Sequence, residues 1–165
     1  VAIWKARRTL LLVGEGYHEE AFLNHVKHLY VSRGCGLSVT VKNARGKSAA
    51  HIIEWTIRQI NNAAYDDVAV MLDTDTDWSP ALAKQAKRKG IQVLASEPCF
   101  DALMLRLLGK NAVGEAAALK KLLSQYLKNE PTERESYAEH FGMACLEKGR
   151  QHEPSIDVLL KLLGV

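Results

Sequence analysis

A chain of 165 residues has the size of one domain and can bury a core without disulfide or metal staples. Hydrophobic residues at 47% and charged residues at 25% exclude a disordered or low-complexity chain, and a net charge of +3 permits a nucleic-acid partner without arguing for one. Three widely spaced cysteines (Cys35, Cys99, Cys145) argue against a disulfide framework or zinc knuckle and for reduced thiols in the cytoplasm, and no apolar run approaches the ~20 residues of a membrane span.

In chain order, Thr9 to Val13 is a short apolar run that predicts a buried strand, and Gly14-Glu15-Gly16 breaks it. The run is too short for a signal-peptide core, although Arg7 and Arg8 precede it. A helix follows from about Glu19 to Arg33, with Phe22, Val26, Leu29 and Tyr30 on one face. Leu37 to Val41 is the second strand. Ser48 caps a second helix through about Asn61. Val68 to Leu72 is the third strand, and Ser79-Pro80 opens a third helix that stops at Gly90. Ile91 to Leu94 is the fourth strand, and Pro98 opens a fourth helix through Leu108. Strands alternating with helices imply an α/β fold, a Rossmann-like four-stranded parallel sheet with right-handed crossovers, in the order 2-1-3-4. After Gly109 the pattern is helical: Glu115 to Lys128, Ser136 to Lys148, and a last helix from Pro154. The expected organisation is an α/β core over residues 1–108, with helices over 109–165 packed on the same domain.

Ligands of parallel sheets bind beyond the carboxyl ends of the strands, where strand order reverses. Glu15 follows the first strand, and Asp73, Asp75 and Asp77 follow the third. Carboxylates brought together repel one another, and a hard divalent cation relieves that repulsion. Glu15, Asp73, Asp75 and Asp77 are therefore the expected metal ligands, with Asp77 equally readable as a solvated turn acid. Three rival motifs fail. An EF-hand needs Gly sixth and Glu twelfth from Asp73, where Trp78 and Lys84 stand. A haloacid dehalogenase-type phosphatase needs Thr where Asp77 stands. Gly46-Lys47-Ser48 ends like a P-loop, but Val41 occupies the place of its first glycine. Arg45 and Lys47 remain candidates for phosphate contact or a solvated surface.

A strand ending in Glu-Gly and a later strand ending in Asp-x-Asp resemble the Toprim domain of topoisomerases, primases and old-type nucleases. The likeness extends to the small RloB-like Toprim proteins of bacterial defence loci. Their E-G-x-x-T-E is matched here by Glu15-Gly-Tyr-His-Glu-Glu20, with Glu19 in place of Thr. Their S-N-P-C-F-E is similar to Ser96-Glu97-Pro98-Cys99-Phe100-Asp101, and their N-P-S-T to Glu153-Pro154-Ser155-Ile156. The resemblance implies that Glu15 acts as general acid or base while the aspartates hold Mg²⁺, with Mn²⁺ as a substitute. Glu20 either joins the site or is a salt-bridging surface residue. His18 is a candidate for proton transfer or a polar neighbour. Asp101 is a site acid or a favoured acid at a helix N-terminus.

The function implied is Mg²⁺-dependent hydrolysis of phosphodiesters in DNA or RNA, in phage defence. The basic third helix, with Lys84 and Arg88, either guides a nucleic-acid backbone or is a solvated face. The alternative is a non-catalytic Toprim module that binds metal or nucleic acid and acts through a partner ATPase, since the chain carries no ATP motif. A receiver-like phosphotransfer domain would need paired acids after the first strand and a fifth strand, and neither is present in the sequence.

Overall fold

A computed structural model of the chain describes residues 7–75 and 77–165. Four strands, β1 (Arg8–Gly14), β2 (Leu37–Asn43), β3 (Asp67–Asp73) and β4 (Ile91–Ser96), form one sheet in the order β2-β1-β3-β4. Every pairing is parallel, with Gly14 opposite Met71 and Asp73 opposite Ser96. The α/β class and the order 2-1-3-4 are those expected from the alternation of strands and helices.

Period-two alternation splits the strands between two apolar layers. Leu10, Leu12, Ala69, Met71 and Leu94 face α1 (Tyr17–Tyr30) and α4 (Phe100–Leu107). Leu11, Val13, Val68, Val70 and Leu72 face α2 (Ala49–Asn62) and α3 (Pro80–Arg88) through Ile52, Ile53 and Ala86. Both faces are covered, which is why these strands read as unbroken hydrophobic runs. Ser48 and Ser79 cap α2 and α3 by accepting the N–H groups of His51 and Leu82 at 3.1 and 3.2 Å.

The remaining helices are α5 (Ala116–Ser124), α6 (Met143–Gly149) and α7 (Pro154–Leu162). Leu119, Leu123, Leu146, Leu159 and Leu160 join the same buried layer as α1 and α4. Phe22 sits fully buried at its centre, with Phe100, Tyr137 and Phe141 edge-on at 5.8 to 6.4 Å between ring centroids. Arg106 of α4 ties α7 down: its Nε donates to Glu153 at 2.6 Å, and a second nitrogen donates to the Glu97 carbonyl at 2.5 Å.

Several helix boundaries differ from the sequence reading; α1, expected from about Glu19 to Arg33, runs from Tyr17 to Tyr30. The expected helix from Ser136 to Lys148 is a 3₁₀ turn (Arg134–Tyr137) followed, beyond Gly142, by α6. The Ser136 hydroxyl donates to the Glu130 carbonyl at 2.6 Å and the Tyr137 phenol to the Pro131 carbonyl at 2.7 Å, so these side chains fold the loop back on itself in place of a continuous helix. α5 ends at Ser124, four residues before Lys128; its last hydroxyl donates back to the Lys121 carbonyl at 2.6 Å. α4 begins at Phe100, two residues after Pro98, because Cys99 is extended (φ −148°, ψ 168°) and stands at the N-cap; the Phe100 N–H left free by the helix is taken by a side chain of β3.

Candidate metal centre

β1 lies between β2 and β3, so the strand order reverses at β1. The crevice beyond the carboxyl ends of β1 and β3 is the place where such sheets bind ligands. Glu15 extends β1 by one step, its N–H donating to the Met71 carbonyl at 3.0 Å, and its own carbonyl accepts from the Gly46 N–H at 2.7 Å. These two bonds fix the Glu15 backbone between β3 and the loop that leads to α2.

The turn into α1 is tight. A Cβ on Gly14 would lie 2.8 Å from the Glu20 nitrogen and 3.0 Å from the Glu19 Cβ, so glycine is what lets the helix start directly over the strand end. The Gly16 N–H then donates to Glu19 Oε2 at 3.0 Å, half of a capping box. This places Glu19, which is buried, beside Glu15. Asp73 closes the group from the end of β3. Its N–H donates to Glu15 Oε2 at 2.9 Å, and its Oδ1 accepts from the Phe100 N–H at 2.9 Å.

One oxygen from each of Glu15, Glu19 and Asp73 lies within 4.8 Å of the others, an arrangement that can hold a metal ion. The three carboxyls also perturb one another. Burial, then the neighbouring Glu15, Glu19 and Asp75, push the Asp73 carboxyl up to about 8. Burial and the nearby Glu15 and Asp101 push Glu19 up to about 7. Glu15 is also raised, by burial against the opposing Asp73 N–H, with Asp75 and Asp77 adding to the rise. Three acids that resist ionising together would be relieved by a nearby positive charge.

A cleft of about 340 Å³ opens over the triad, and Gly16, Tyr17, His18, Gly46, Asp101 and Lys120 also line it. His18 is half-buried beside Phe100, with ring centroids 6.3 Å apart. Burial holds its imidazole below the ordinary value against the pull of Asp101, so it is neutral at pH 7. Asp101 is buried in the first turn of α4 and raised by that burial, with Lys120 and His18 opposing the rise.

The structure brings together part of the expected set and separates the rest. Glu15 and Asp73 converge. Asp75 is exposed and acts on both through its charge, outside the close triad. Asp77 is engaged elsewhere: its Oδ2 accepts the Ala49 N–H at 2.9 Å, at the start of α2. Glu20 lines an adjacent cleft with Arg45. Arg45 and Lys47 are exposed in the loop between β2 and α2. Lys84 and Arg88 are exposed along α3. That helix runs back from the carboxyl edge of the sheet, so Arg88 stands at the end away from the acids. Two site residues were missed as such from sequence. Glu19 was visible only as a departure from a motif. Lys120 carries no local signal, because only the docking of α5 brings it to the cleft. Among the described residues no helix is long and apolar enough to cross a membrane. Compared with known proteins, the chain matches no protein-family model, no curated protein and no solved structure.

Proposed function

We propose that the acidic crevice holds Mg²⁺, with Mn²⁺ as a substitute, and that the protein hydrolyses phosphodiester bonds of nucleic acid. The observation that carries the reading is the convergence of Glu15, Glu19 and Asp73 at the strand-order reversal, three oxygen donors with raised pKa values. An all-oxygen carboxylate set fits a hard divalent cation and suits neither zinc nor copper as well. The Glu15-Gly and Asp73-Thr-Asp75 pattern, similar to Toprim domains, supports the same reading.

When bound, the cation would polarise a phosphoryl oxygen and lower the pKa of a water. The chain's own residues supply the rest. Glu15 lies in the crevice with its pKa raised by burial, placed to move a proton at the scissile group. His18 enters the cleft as a neutral imidazole and can accept a proton there. Lys120, exposed at the rim, places one positive charge where a phosphate approaches.

The test is to incubate the protein with labelled single- and double-stranded DNA and RNA in Mg²⁺, Mn²⁺ or EDTA, beside Glu15→Gln and Asp73→Asn. Metal-dependent cleavage that is lost in both variants is the expected outcome. Folded protein that binds Mg²⁺ yet cleaves nothing would replace hydrolysis with a metal-binding module that acts through a partner ATPase.

A further inference from the structure

We infer that the cleft beside the acidic crevice, lined by Tyr17, Glu20, Asn43, Arg45, Trp55 and Gln59, is a nucleoside subsite. It takes the base and sugar of the nucleotide adjoining the phosphodiester presented to Glu15 and Asp73. The inference rests on the nucleic-acid reading above and adds which part of the polymer is held, and by what.

Position is the first argument. The cleft sits at the carboxyl end of the edge strand β2, where α1 and α2 flank that edge from opposite faces of the sheet. Tyr17 lines both this cleft and the acidic one, so the two adjoin at its ring. At about 290 Å³ the cleft is at the small end of ligand pockets. That scale suits one nucleoside better than a longer stretch of chain.

Chemistry is the second argument. Tyr17 is 53% exposed, and among the described residues it is the aromatic one of the exposed large hydrophobics. A solvent-facing ring at a site mouth is a stacking platform, and every base has a face to stack. Trp55 supplies a second ring, half-buried against the core of α2. The polar groups have mixed character. The Lys42 ammonium donates to Gln59 Oε1 at 2.8 Å, which orients the Gln59 amide and leaves its NH₂ group as a donor. Asn43 Oδ1 accepts the Arg45 N–H at 2.7 Å and holds Arg45 in a left-handed turn, φ 50°, at the mouth. Asn43 Nδ2 is a buried donor without a partner among the described residues. Glu20 is the acceptor, suited to a sugar hydroxyl or a base amino group. A bare anion would be repelled by Glu20, and an apolar ligand would strand Lys42, Arg45 and Gln59. A nucleoside uses rings, donors and acceptor together, while Arg45 faces the phosphate that joins it to its neighbour.

The test uses Glu15→Gln protein in which Trp4→Phe and Trp78→Phe leave Trp55 as the sole tryptophan. It is titrated with DNA and RNA pentanucleotides and with an abasic pentanucleotide of equal charge. Expected is saturable quenching of Trp55 by the base-bearing oligomers and none by the abasic one. Anisotropy of a labelled pentanucleotide, in protein that keeps all its tryptophans, is read beside it. There Tyr17→Ala should weaken binding about 5- to 100-fold, the range of base–aromatic stacking, and Tyr17→Phe should retain it. Equal binding of the abasic oligomer, binding that leaves Trp55 unquenched, or no binding at all overturns the subsite. Turnover of bis(p-nitrophenyl) phosphate by the unmodified protein separates the two ideas. Turnover lost in Glu15→Gln, without base-dependent binding, leaves hydrolysis standing and removes the subsite. Base-dependent binding without turnover of any diester keeps the subsite and removes hydrolysis.

Discussion

Replacing Asp73 by Asn changes one charge and almost no shape. The amide oxygen can still accept the Phe100 N–H now taken by Asp73 Oδ1, so the link to α4 survives. What disappears is repulsion. With ligand oxygens within 4.8 Å, each pair of ionised carboxylates costs about 3.5 kcal/mol at an effective dielectric of ~20 and under ~1 kcal/mol in bulk water. The site is a half-buried rim, so a net gain of ~1–3 kcal/mol is expected once all three groups are ionised. The pH window follows from the raised pKa values. Asp73 is raised from 3.8 to about 8, and Glu19 from 4.5 to about 7. Between these limits the folded protein holds more protons than the unfolded chain. The contribution of these groups to stability is therefore full below about pH 4 and is lost as pH rises through 7 to 8. In EDTA the melting temperature of the unmodified protein should fall from pH 6 to pH 9, apart from titrations common to both proteins. Asp73→Asn should match it only below about pH 4, already melt higher at pH 6, and melt ~2–12 °C higher at pH 9, at ~2–4 °C per kcal/mol for a chain of this size. Mg²⁺ at ten times its dissociation constant should raise the unmodified protein by ~1.4 kcal/mol at pH 8, with little effect on the variant. Circular-dichroism melts over this pH range decide the matter. A variant less stable than its parent at pH 9 without metal would refute the electrostatic account of the crevice.

Other outcomes follow from the same geometry. Glu19→Gln should weaken Mg²⁺ binding by ~10-fold or more in calorimetry, and by more than Asp77→Asn does, since Glu19 belongs to the close triad and Asp77 already bonds to the Ala49 N–H. Gly14→Ala should cost ~1–3 kcal/mol in urea unfolding, because the new Cβ meets the Glu20 backbone nitrogen at 2.8 Å and neither partner can turn away. Arg106→Ala should cost ~1.5–3 kcal/mol and speed proteolysis within α7, as buried Glu153 loses its cation. If Lys84 and Arg88 only solvate α3, the double alanine variant should leave the salt dependence of nucleic-acid binding unchanged. If they contact phosphates, the slope of log K against log salt should drop by one to two.

The sheet and its order were legible because hydrophobic runs of strand length alternate with serine-capped helices, and the sheet's two covered faces make those runs continuous. Glu15 and Asp73 were legible for the same reason: each follows a run directly, and the sheet register brings them together. Glu19 was not, because its approach depends on how soon α1 begins after Gly14, a matter of packing between backbone and helix. Asp77 looked like a third aspartate of the set, but the start of α2 lies close enough to take it, a contact made 28 residues apart. The stretch from Asn129 to Ser136 reads as a loop, but Ser136 to Lys148 is expected as one helix, and the structure breaks it after Tyr137. Hydroxyl-to-carbonyl bonds from Ser136 and Tyr137 override that helix, and the aromatic rings fill the core from a folded-back loop.

Each member of the triad has one oxygen already engaged by a backbone N–H: Glu15 by Asp73, Asp73 by Phe100, and Glu19 by Gly16. One oxygen per residue carries no such bond, so two-pronged binding by any of the three would have to share an oxygen with a backbone N–H. Calcium, which prefers six to eight oxygens and often takes a carboxylate by both, is poorly served by such a set. Magnesium, content with few protein oxygens and several exchangeable waters, is well served. On the proposed reading of the crevice, the hydrogen bonds that brace the strand ends would then favour the smaller of the two common divalent ions of the cell and leave its remaining coordination positions to whatever enters the cleft.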